Sequence, residues 1–144
     1  MTGAPPHFLE VARRVLNSNS TDRSATACAG AALAVLEELQ KRIIPLIGPA
    51  GMRALFARAV KVTNHDFAAL APLRAETLAD SPNVSETLSR VLADLEPGNA
   101  WAAAAALYSN FLQLTSSLIG ERLVLQVLQR GFPKVDVTAK QESE

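Results

Sequence analysis

The stretch "AWAAAAALYSNFLQLTSSLIGERLVL" (residues 100–125) decides the fold class. Leu107, Phe111, Leu114 and Leu118 recur at helical spacing, and Tyr108, Leu112 and Ile119 form a second apolar row beside them. Alanines 102–106 lack bulk, so another helix can approach this backbone closely. Nowhere does the chain alternate with the period of a strand over any length, whereas helical periods recur throughout. The expectation is an all-α, single-domain orthogonal or up-down bundle of five to six helices, with a long central helix near 99–119.

Opposite the apolar rows lie Ser109, Gln113 and Ser116, flanked by Asn110 and Ser117. Solvated helix faces normally carry Lys and Glu. An uncharged polar face suits a helix that is sandwiched or that meets a partner, so these five residues are the candidate interface. After them comes Gly120, with strong helical pattern on both sides. A mid-helix glycine costs about 1 kcal/mol relative to alanine. An unbroken helix over 100–130 would run about 46 Å, so Gly120 is expected to permit a bend or the close passage of another helix.

The tripeptide "LIG" also occurs at 46–48, 72 residues earlier. Aligned at the glycines, each copy follows a helix with an Ala-rich first half. Met52, Leu55, Phe56 and Arg58 then fall opposite Val124, Val127, Leu128 and Arg130. The pattern suggests two helix–glycine–helix units. Gly48 precedes Pro49 and reads as punctuation at a helix start, a different task from that of Gly120.

Outward from this pair, Phe8, Val11, Ala12 and Val15 mark a first helix over about 5–16, and "NSNSTDRS" (17–24) is a capping loop. Cys28, Ala32, Val35 and Leu39 stripe a second helix over about 22–44, which Pro45 should end or kink. A third helix starts at Pro49 and stops before Pro72; residues 72–82 read as an irregular or short-helical connection. Asn83 opens the helix bearing Leu88, Val91 and Leu92, and Asn99 caps the long one. The domain is expected over 1–133, with 134–144 a disordered tail.

The formal charge is zero but unevenly spread. Residues 39–65 carry Lys41, Arg42, Arg53, Arg58 and Lys61 with no acid, a candidate basic face. Residues 66–96 hold six acids against Arg74 and Arg90. The zero balance and the lack of aromatics among those cations argue against nucleic acid, and favour an acidic protein partner or a second copy. A lone Cys28 excludes an intramolecular disulfide. The uncharged run 97–120 is long enough to span a bilayer but too rich in Asn, Gln, Ser and Thr. No membrane association and a cytoplasmic location are expected.

Chemistry is sparse. His7 and His65 make no ligand cluster, so neither metal nor cofactor is expected. His65–Asp66 invites a phosphotransfer reading, but Phe67, Ala68 and Ala69 follow where histidine-phosphotransfer domains carry Lys and Gly. No catalytic constellation, phosphate loop or nucleophile elbow is present. The leading expectation is a non-enzymatic regulatory or adaptor module acting through protein–protein contacts as a homodimer. The alternative is a sensor for a small apolar ligand, its pocket walled by Phe56, Trp101, Tyr108 and Phe111 and bordered by Gly120, Glu121 and Arg122.

Overall fold

A computed structural model describes residues 6–20, 22–79 and 83–135. They form α1 (Pro6–Asn17), α2 (Ala25–Asn64), a 3₁₀ turn (Ala68–Leu70), α3 (Ala71–Leu78), α4 (Val84–Ala93), α5 (Pro97–Ile119) and α6 (Glu121–Gly131), with no strand among the described residues. The all-α class and six helices agree with the sequence reading. Of the expected tail, 136–144 lie outside the described residues, while Val135 is buried in the core.

Three features differ from that reading. Pro45 does not end its helix; α2 continues to Gly48, breaks there, and resumes at Pro49. A proline inside a helix forfeits one backbone bond and crowds the carbonyl four residues earlier, a cost that the helix carries here three residues before its break at Gly48. The more central helix is therefore α2 rather than the one near 99–119, although both pack on several others. Finally, α5 begins at Pro97 after Glu96, so Asn99 sits in the first turn rather than at the cap. Proline's fixed φ suits that opening position.

The two glycines share one conformation. Gly48 has φ 85° and ψ 160°, and Gly120 has φ 98° and ψ 145°. L-residues rarely adopt this region, which is close to glycine-only territory. A Cβ on either would meet nothing within 4 Å. Both glycines are thus required for backbone angle and not for room. Gly48 stands at the start of a helical arm, as Pro49 implies, and Gly120 permits a bend rather than the close passage of another helix; both are corners.

Burial repeats across the corners. Cys28, Ala29, Ala31, Ala32, Val35, Leu36, Leu39 and Ile43 are buried, and so are Ala100, Trp101, Ala103, Ala104, Leu107, Tyr108, Phe111 and Thr115, each 72 residues on. Past the glycines the same holds for Met52, Phe56, Val60 and Thr63 against Val124, Leu128, Phe132 and Val135. A further match precedes each long helix: "EVARRVL" (10–16) in α1 and "ETLSRVL" (86–92) in α4, offset by 76. The four extra residues of offset are absorbed by the loops, 18–24 in the first half and 94–96 in the second.

The halves interlock. Trp101 donates its indole N–H to the Arg23 carbonyl at 3.0 Å, and Tyr108 donates its hydroxyl to the Ala32 carbonyl at 2.7 Å. These contacts advance in the same sense along both segments, so the first arm of α2 and α5 run side by side in parallel. The small side chains at Ala31, Ala32, Ala103 and Ala104 let the pair close together. Each corner then turns a short arm back over the opposite long helix: Phe56 meets Phe111 edge-on at 6.3 Å between centroids, and α6 lies on α2. The leading helices also cross over, since α1 packs chiefly on α5 and α4 chiefly on α2.

Candidate functional site

The parallel arrangement puts both LIG corners at one end of the bundle. There α6 docks against the last turns before Gly48. Close approach is possible because Gly131 has no side chain; a Cβ would come within 3.0 Å of Glu38 Cγ and 3.1 Å of Arg42 Cδ. Glu38 in turn holds Arg42 by its Nε and Lys41 at 3.7 Å, four and three residues along one helix face.

Between the two elements is a groove of about 310 Å³, lined by Lys41, Arg42, Pro45 and Leu46 from α2 and by Leu123, Gln126, Val127 and Arg130 from α6. Pro45, Leu46, Leu123 and Val127 give it an apolar floor, and three cations with one amide give it a polar rim. Leu46 is 46% exposed and Leu118, its counterpart before the second corner, is 60% exposed. An apolar strip with a cationic border can bury aliphatic side chains while pairing carboxylates at its edge.

Only part of the expected basic face assembles. Lys41 and Arg42 enter this groove, Arg53 and Arg58 are exposed on the second arm of α2, and Lys61 lines a separate cavity with Asn64, His65 and Arg74. The break at Gly48 divides the segment, which a linear charge count cannot register.

The polar row of α5 is partly used within the chain. Asn110 donates its amide to the Thr63 hydroxyl at 2.9 Å, and Thr63 donates to the Ala59 carbonyl at 2.7 Å. The Gln113 side-chain oxygen is buried without a partner. Ser109 and Ser116 are half-buried and Ser117 is exposed. The sandwiched reading of this face accounts for Asn110; the second arm of α2 supplies the covering layer.

The aromatic residues expected to wall a pocket are engaged in packing. Phe56 and Phe111 meet each other, and burial pushes the Tyr108 hydroxyl's pKa far up, with the Cys28 thiol adding to that shift. Trp101 is covered by the Arg23 guanidinium, 4.1 Å above its ring. It borders a small surface recess with Arg13, Asn17 and Arg23, at the start of α5 and away from Gly120, Glu121 and Arg122, which are exposed at the far corner. None of the three recesses described is lined by Phe56, Tyr108 or Phe111. Burial also pushes the Cys28 thiol up to about 11, so it stays protonated and unreactive at neutral pH.

Sequence reasoning missed Pro45, Leu46, Leu123, Gln126, Val127 and Arg130 as members of one site. Their union depends on α6 folding back over α2. The available signal was the LIG repeat itself, since two equivalent corners imply two returning arms. No family model, curated protein or solved structure matches the chain.

Proposed function

We propose that the chain is a non-enzymatic regulatory or adaptor module that receives an acidic amphipathic helix of a partner protein in the α2–α6 groove. The observation that supports this is the groove's composition: an apolar floor at Leu46 and Leu123 bordered by Lys41, Arg42 and Arg130. An amphipathic helix offers aliphatic anchors at i, i+3/i+4 and i+7 with charges flanking them, which suits such a strip. Acidic flanks complement the border in sign, favouring encounter and rejecting basic partners. The exposed Leu46 is the expected anchor contact.

Fluorescence anisotropy with a labelled synthetic helix, leucines on one stripe and glutamates beside it, tests the reading. Saturable binding that weakens with added salt is expected. Arg130→Glu and Leu46→Asp should each weaken it about tenfold or more. A helix that fails to bind, or that binds both variants as well as the parent chain, removes the proposal. Light scattering on the chain alone distinguishes the other occupant: a dimer dispersed by Leu46→Asp would assign the groove to a second copy.

A further inference from the structure

Most cations with described contacts have a local explanation. Arg13 and Arg14 face Glu10, Lys41 and Arg42 share Glu38, and Arg23 covers Trp101. The cavity of about 380 Å³ where α2 ends against α3 instead gathers cations that have no such partner in one place. It is lined by Lys61, Asn64, His65 and Arg74, with no carboxylate in its wall. Among the described residues no acid pairs with Lys61, His65 or Arg74.

Two observations set this cluster apart from ordinary surface charge. Lys61 lies in the last turn of α2, where the helix dipole favours a cation. That account does not extend to Arg74, which arrives from α3. The Nε–H of Arg74 is, moreover, buried with no hydrogen-bond partner, and a guanidinium donor is seldom left so. Asn64, by contrast, donates its amide to the Phe67 and Ala68 carbonyls, which ties down the turn carrying His65.

We propose that this cavity binds an oxyanion of the phosphate class, with Arg74 as the directional donor and Lys61 as a point charge. Guanidinium and ammonium groups play these complementary parts in phosphate recognition. The cavity has room for a phosphoryl group carried on a larger body, whether a free small molecule or a lipid headgroup. The site is separate from the α2–α6 groove and does not rest on its occupant.

Isothermal titration with inorganic phosphate and with pyrophosphate, at fixed pH and ionic strength, provides the test. Saturable binding of at least one is expected, accompanied by a shift of the His65 ring resonances. Arg74→Gln and Lys61→Gln should each weaken it about tenfold or more, with thermal melts reporting that the variants fold. Arg130→Glu should leave it unchanged. Phosphatidylcholine vesicles with and without phosphatidate separate the sources: Arg74-dependent capture only by phosphatidate vesicles assigns a headgroup, and binding of the free anions alone assigns a soluble ligand. Absence of saturable binding to all three probes, binding indifferent to Arg74→Gln, or loss in Arg130→Glu overturns the proposal.

Discussion

The half comprising α1 and α2 and the half comprising α4, α5 and α6 share a frame but not a surface. Both have a leading helix, a long helix, a glycine corner and a returning arm, with buried positions in register across 72 residues. Shift the groove residues by that interval and the result is informative. Lys41, Arg42, Pro45 and Leu46 become Gln113, Leu114, Ser117 and Leu118; Leu123, Gln126, Val127 and Arg130 become Gly51, Ala54, Leu55 and Arg58. The exposed leucine and one arginine persist, while the other two cations are lost. Packing constrains what is common to the halves, and the surface charges are what differ between them.

The comparison can be broken most forcefully in the core. Phe111→Ala and its counterpart Leu39→Ala both delete fully buried side chains, and each should lower unfolding free energy by about 3–5 kcal/mol in urea titrations. A loss confined to one of them would show that the halves are not mechanically equivalent.

Alkaline titration probes an asymmetry, since Cys28 stands where the second half has Ala100. The folded thiol is raised to about 11 from 9.0, so the unfolded chain releases its proton first. Stability should be flat below about pH 9 and fall as pH rises from 9 to 11, because the unfolded thiol and then the unfolded tyrosine lose protons that the folded chain keeps. Cys28→Ala should postpone the onset toward the tyrosine range, because Tyr108 shifts in the same direction. A parent chain equally stable at both ends of that window would contradict the burial argument.

Gly48→Ala and Gly120→Ala should each cost about 1–3 kcal/mol, because alanine cannot relax into these angles cheaply. Similar losses sharpen the equivalence of the corners. A neutral effect at one would mean that corner can adopt another geometry. The smallest change expected is Arg23→Ala, about 0.5–1 kcal/mol, with a clear change in the emission of Trp101, the sole tryptophan. An unaltered spectrum would place that guanidinium elsewhere in solution.

Much of the fold was readable in the sequence. Apolar stripes locate the helices, the run of alanines 102–106 indicates a close neighbour, which the structure places over Ala103, Ala104 and Ala105, and the pattern around Gly120 implies the bend found there. Other features were hidden by distance along the chain. The kinship of α1 with α4 escapes an alignment made at the glycines, since unequal loops change the offset from 72 to 76. The sequence leaves open whether Asn110 is sandwiched within the chain or meets a partner, because the group that it binds, Thr63, is 47 residues away. The groove was least legible of all, because half of it belongs to α6 and half to α2. Local periodicity reports which face of a helix is buried but not which helix buries it.

The crossed placement of α1 and α4 also has a bearing on synthesis. α1 leaves the ribosome well before its principal support, α5, which does not begin until Pro97. At ordinary elongation rates the intervening residues take about 4–16 s to make. For that interval Phe8, Val11, Val15 and Leu16 lack the surface that later covers them. Until then α1 has only α2, its lesser neighbour, to lean on, and final docking waits for the second half to emerge.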